Sequence, residues 1–232
     1  PIEGRLEVLN FIKKGEGDYT SSNRGTKKVN GKEEIIGQQL QGTKRGGKLL
    51  TDMTIAEIKT YQKIKDPDNP NRLFAVGAYQ FNPDTLDIAM KDAGFNNNTI
   101  FSEEVQDRMG LALLLGTKRP QLAAYIKGQS DDIETAMLEF AKEFASIPDP
   151  RTGKSFYADR GNVAKSTVEE TKEALLRARE NYASGITGEF VPREGEMNTL
   201  ELQEVVEKAI GDTEVKPENK PLVESLNPQE RP

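Results

Sequence analysis

Phe11-Ile12-Lys13-Lys14-Gly15-Glu16-Gly17-Asp18-Tyr19 is the stretch on which the reading of this chain turns. Just upstream, Leu6, Leu9, Phe11 and Ile12 recur at helical spacing and predict a short apolar helix over residues 5–14. Gly15 and Gly17 are expected to stop it. They leave one carboxylate, Glu16, at a helix end between residues too small to cover it. Such a group either faces solvent in a plain helix-ending loop or faces a cleft. In a cleft, partial desolvation raises a carboxyl pKa and suits it to general acid chemistry near neutral pH.

The chain contains no Cys, His or Trp. That removes thiol nucleophiles, Ser-His-Asp triads, His-rich zinc sites and disulfides. No calcium-loop spacing is present, and neither a cofactor nor a metal is expected. An enzyme with this alphabet relies on carboxylates, Lys, Tyr, or Ser and Thr assisted by Lys. No apolar run reaches the length of a membrane span, and the first residues lack a basic-then-apolar signal pattern.

Charge divides the chain. The net charge is −6, and residues 189–232 carry all of the imbalance, so residues 1–188 are neutral. Residues 1–188 read as the folded domain. Residues 189–232 read as an acidic, Pro-rich and disordered tail with one amphipathic helix over 199–210. Arg24, Lys27, Lys28, Lys32, Lys44, Arg45 and Lys48 make one stretch basic. It is either a solvated hairpin face or an anion-attracting lip on a cleft. Without interleaved aromatics it does not suggest nucleic-acid binding.

Residues 18–50 are polar and turn-rich, and Asn30-Gly31 predicts a tight hairpin. The remainder reads as helices with marked starts: Thr54 with Glu57 and Thr167 with Glu170 as capping boxes, Asn82-Pro83, Ser102, and Asp131 or Asp132. The expected class is α+β, predominantly helical, with one small β excursion after the first helix.

That order of elements resembles the lysozyme superfamily, most closely phage lytic enzymes of the lambda-endolysin type. Gly15-Glu16-Gly17 resembles the Ser/Gly-Glu-Gly around that family's catalytic acid. Asn23-Arg24-Gly25-Thr26 is similar to a polar turn of related phage domains. Val76-Gly77-Ala78-Tyr79-Gln80 resembles a Gly-Arg-Tyr-Gln segment, and Phe101-Ser102 with Gln106-Asp107 a Phe-Ser…Gln-Asp helix start. Phe144-Ala145-Ser146-Ile147-Pro148 resembles a Trp-Ala-Ser-Leu-Pro run. No one motif is specific; their order across residues 5–185 carries the likeness.

The resemblance implies a lysozyme-like fold and cleavage of the MurNAc–GlcNAc strand of peptidoglycan, in phage lysis or virion entry. It implies a phage virion or host-cytoplasm setting with action on the wall in the periplasm, and other virion proteins as partners for the tail. It makes Glu16 the single catalytic acid and base of a lytic transglycosylase. Glu16 first protonates the leaving oxygen, then accepts the proton of the sugar's C6 hydroxyl as a 1,6-anhydro ring closes. Hydrolytic relatives place a second acid about nine residues after the Glu, where this chain has Gly25; Asp18, Glu33, Glu34 and Asp52 are the other carboxylates to weigh. Tyr79, Gln80, Tyr157, Asn23 and Asn162 are the expected substrate-binding residues, with bracing behind Glu16 as the competing role for Tyr79 and Gln80. Phe144 reads as core. Ala78 departs from the family's Arg, so a guanidinium is missing that Arg24 or Arg72 would have to supply. This departure keeps open a non-catalytic structural or peptidoglycan-binding module on the same fold.

Overall fold

The computed structural model describes residues 7–185. The tail and the helix expected over 199–210 lie outside the described residues. Helix α1 spans Glu7–Glu16, two residues beyond the expected end. Gly15 is tolerated inside its last turn, at the roughly 1 kcal/mol a helical glycine costs. The chain turns away only at Gly17, whose N–H bonds to the Lys13 carbonyl at 3.1 Å. Val8, Leu9 and Ile12 form the buried face of α1.

Strands β1 (Thr26–Val29) and β2 (Lys32–Ile35) make an antiparallel hairpin that pairs Thr26 with Ile35 and Val29 with Lys32. Asn30 and Gly31 both take positive φ, 50° and 82°, as the tightest hairpin turn requires. Nearly every side chain of these strands is exposed, so the hairpin stands off the core. A second, shorter ladder pairs β3 (Lys44–Arg45) with β4 (Lys48–Leu49). The basic stretch is distributed over these two hairpins. Lys27 pairs with Asp68, Lys48 pairs with Glu57, and Arg45 donates to the Asn71 carbonyl. Exposed pairs of this kind contribute about 1 kcal/mol or less.

The helices start where caps were expected. Thr54 and Glu57 close a capping box on α2 (Ile55–Gln62), and Thr167 and Glu170 close one on α7 (Val168–Ala183). Asn82, Ser102 and Asp132 each accept a backbone N–H at the start of α3 (Pro83–Asp92), α4 (Glu103–Leu115) and α6 (Ile133–Glu143). Helix α5 (Pro120–Ile126) has no cap of its own. Glu139 of α6 instead accepts the N–H groups of Gln121 and Leu122 at 2.8 and 2.9 Å, a carboxylate at a helix N-terminus supplied from another helix.

Each helix from α3 to α7 packs on the next; α7 also touches α5 and α1, and α1 touches α4. The shared core includes Ile12, Ile58, Phe81, Phe101, Met109, Phe140, Phe144 and Leu175, all at most 1% exposed. The architecture is α+β and predominantly helical. Among the described residues no helix is long and apolar enough to cross a membrane.

Residues 21–23 tie the hairpin region to the helices. Ser22 bonds to Gln39 on one side, while Asn23 exchanges hydrogen bonds with Phe74 and Ala75 on the other. Gly77 donates to the Ser21 carbonyl at 2.8 Å. This small braid holds the 74–81 segment against the end of α1.

Candidate active site

Glu16 lies in an open cleft of about 730 Å³, bounded by the end of α1, the first hairpin, residues 74–82 and the 142–165 region. Its two glycine neighbours are required by close approach. A Cβ at Gly15 would sit 2.5 Å from the Ser146 hydroxyl oxygen, and a Cβ at Gly17 would sit 2.7 Å from that of Ser21. Gly15→Ala therefore pushes the Ser146 segment off the helix end. The expected cost is about 1–3 kcal/mol, as for other overpacked sites, read as a lower midpoint in denaturant unfolding.

Ser146 is the direct partner of Glu16. Its backbone N–H donates to Glu16 Oε1 at 2.8 Å. Its hydroxyl is buried beside the carboxyl but not aligned with any acceptor. Glu16 is itself partly exposed to the cleft, yet protein crowds it closely enough that desolvation dominates its titration. Burial raises its pKa above the ordinary carboxyl value, the Ser146 groups pull it part of the way back, and the nearby charge of Glu143 pushes it up further.

Glu143, at the end of α6, is a second cleft carboxylate that the sequence reading did not single out. Its side chain is 1% exposed and is held by Lys118 Nζ and Arg119 Nε, each at 2.7 Å. It sits immediately before Phe144-Ala145-Ser146, the signal that could have drawn attention to it. Doubly paired and buried, it is no free nucleophile. Glu143→Gln removes a like charge, so the Glu16 pKa is expected to fall. An NMR titration of the Glu16 carboxyl carbon reads that shift directly.

All six residues singled out from sequence line this cleft: Glu16, Asn23, Tyr79, Gln80, Tyr157 and Asn162. Their side chains differ in what they offer. Asn23 Nδ2 donates to Gln80 Oε1 at 3.2 Å, and Gln80 Nε2 donates to the Gly77 carbonyl at 2.8 Å. Gln80 holds φ of 48°, a strained position for a non-glycine residue that the 76–81 turn imposes. The Tyr79 hydroxyl is committed elsewhere: it donates to Asp107 at 2.6 Å, beside Tyr19 and Lys13, which bind the same carboxylate. Burial first, and Asp107 second, raise the pKa of both phenols and keep them protonated donors. Tyr79 thus braces the wall behind Glu16. Tyr157 donates to the Lys142 carbonyl at 2.6 Å, with Phe156 edge-on and Arg160 over its ring. Asn162 turns back on the Tyr157 carbonyl.

Several expectations are corrected. Ala78 is fully buried and does not line the cleft, and its N–H donates to Gln106. Neither Arg24 nor Arg72 lines the cleft. None of the side chains of the basic stretch lines this cleft, while Lys28 and Lys32 border an adjoining pocket that shares Glu33, Arg160 and Gly161 with it. The cleft cations are Lys118, Arg119, Lys142, Arg160 and Lys165, which come from the far wall. Of the carboxylates weighed as a second acid, only Glu33 reaches the cleft, on the hairpin side, where Thr26 donates to it at 3.2 Å. Asp18 is bound up in a turn with Thr20. Gly25 lines the cleft without a side chain. Among the described residues no cluster of three carboxylates stands ready for a metal ion.

No family model, no curated protein and no solved structure matches this chain. The chemistry must be read from the cleft itself. It presents one carboxyl whose pKa burial raises, a wall of cations, and amide groups of Asn and Gln that both donate and accept.

Proposed function

We propose that this domain cleaves a glycan strand by acid–base catalysis at Glu16, with the MurNAc–GlcNAc strand of peptidoglycan as substrate. The observation that carries the proposal is the setting of Glu16: a carboxyl open to a cleft yet desolvated enough to stay protonated above the usual carboxyl range. Glycosidic cleavage needs such a group beside the leaving oxygen. The ordered resemblance to phage lytic transglycosylases of the lysozyme superfamily supplies the substrate class and a role in phage lysis or virion entry.

The proposed mechanism uses one carboxyl twice. Protonated Glu16 donates to the leaving oxygen, and positive charge develops at the anomeric carbon. Glu16, now ionised, accepts the proton of the C6 hydroxyl as its oxygen closes the 1,6-anhydro ring. The Ser146 N–H stabilises the transient carboxylate. The nucleophile is already part of the sugar, which replaces a positioned water.

Glu33 favours one rival reading, a hydrolase with the hairpin carboxylate as nucleophile or base. The single-carboxyl account expects Glu33→Gln to keep cleavage within a few-fold of wild type. A loss comparable to that of a Glu16 variant would favour the hydrolase. Incubation of purified murein sacculi, with chromatography of the released material, tests the proposal as a whole. Released muropeptides support it; sacculi left intact from acidic to neutral pH refute it.

A further inference from the structure

Residues 7–185 carry equal numbers of acids and bases, but their cleft does not. Five cations and three carboxylates line it, which leaves an excess of positive charge that grows when Glu16 is protonated. Lys118 and Arg119 are engaged with Glu143. Lys142, Arg160 and Lys165 have no ion-pair partner among the described residues. Asp149 feels the charge of Lys142, but Arg151 holds that carboxylate at 2.6 Å.

These three cations share one wall. Lys142, in the last turn of α6, holds its Nζ over the Phe156 ring at 5.6 Å, and Arg160 lies over the Tyr157 ring at 5.5 Å. The rings restrict both side chains and lower the entropy lost when an anion binds. Lys165 stands at the Gly15 end, its N–H bonded to the Ser146 carbonyl at 2.7 Å. Arg160 stands at the other end, next to Gly161, which packs on the Glu33 carbonyl of the hairpin. The row therefore runs from beside Glu16 to the hairpin, and the field in a partly desolvated cleft is stronger than on open surface.

We infer that this wall binds carboxylates carried by the glycan, so that the preferred substrate is the anionic, peptide-bearing strand rather than a neutral N-acetylated glycan. This rests on the function proposed above and adds a charge-recognition site to it. Lys165 would meet a carboxylate close to the scissile bond, and Arg160 and Lys142 would meet carboxylates farther along the substituent.

The test compares fluorescently labelled glycan strands bearing stem peptides with the same strands after chemical amidation of their carboxylates. Fluorescence anisotropy reads binding, and product chromatography reads cleavage. Amidation is expected to weaken wild-type binding at least about tenfold at low salt, and added salt to erase the difference. Arg160→Gln/Lys165→Gln, at exposed positions, should lose native-strand affinity to a similar degree and leave amidated-strand affinity unchanged. Lys142→Gln gives an independent third reading. Equal wild-type binding of the two strands overturns the inference, as does equally tight binding of a single-stranded oligonucleotide of matched charge. Charge-dependent binding without cleavage keeps this site and removes the proposed reaction. Cleavage indifferent to amidation does the reverse.

Discussion

Glu16→Gln is expected to lower glycan cleavage by about 10³–10⁴-fold while the strand still binds, because in the proposed mechanism a single side chain serves as both acid and base and such transfers typically supply 10²–10⁴. Gln keeps the shape of the carboxyl and cannot give up a proton. The wild-type rate should fall as pH rises through the raised Glu16 pKa, since the first step needs the protonated form. Stability should move the other way in the variant. Below the ordinary carboxyl pKa, Glu16 is protonated in both the folded and the unfolded chain and contributes nothing. As pH rises from there, the unfolded chain ionises first, so the native state loses stability until pH passes the folded value. Glu16→Gln is therefore expected to be more stable than wild type at neutral pH, with the gain shrinking toward acid pH. Thermal unfolding across pH measures this without reference to any substrate. A neutral-pH midpoint below that of wild type would contradict the burial of a costly charge.

Gln106→Leu is expected to give the largest loss of stability of any single substitution considered. Gln106 is fully buried in α4. Its Oε1 accepts the Ala78 N–H at 2.9 Å, and its Nε2 donates to the Tyr19 and Phe101 carbonyls at 3.0 and 3.1 Å. One amide thus joins the loop after α1, the turn before α3 and the start of α4. The turn is built around it: a Cβ on Gly77 would lie 2.2 Å from Gln106 Oε1, and Gly77 takes φ of 76°. Leu fills similar volume but leaves three backbone groups, two buried and one part-buried, without their Gln106 partner. At about 1–3 kcal/mol for each, and without full additivity, the loss is about 3–6 kcal/mol. That is a large share of the roughly 5–15 kcal/mol available to a domain. A large fall in the urea midpoint at constant slope is the expected result; a fall of less than about 1 kcal/mol would show the hub to be dispensable. Because the turn carries Tyr79 and Gln80 into the cleft, the variant should also lose cleavage below its melting temperature.

Much of this fold was legible because its signals are local. Thr54, Asn82, Ser102, Asp132 and Thr167 cap the helices that their own sequence neighbours announce, and Asn30-Gly31 turns the hairpin it predicts. Helix α5 was not legible. It has seven residues, too few for a periodic pattern, and its cap is Glu139, eighteen residues after Gln121. The cleft divides in the same way. Glu16 was found through its flanking glycines, although what those glycines admit, Ser146 and Ser21, is fixed only by the folded chain. Glu143 and the cation wall come from α6, the segment before α5 and the 155–165 loop, and composition in any one of these segments is unremarkable. The basic hairpin stretch drew attention where local charge density is high, yet Lys27, Lys48 and Arg45 find partners outside the cleft. Charge placement is a tertiary property, and a run of lysines in sequence is no guide to it.

The central claim is that one carboxyl, Glu16, cleaves the strand with the sugar's own hydroxyl as nucleophile. Mass spectrometry of the products formed from murein in heavy-oxygen water tests this most directly. The account predicts 1,6-anhydro ends that contain no oxygen from the solvent. Reducing ends labelled from water would contradict it.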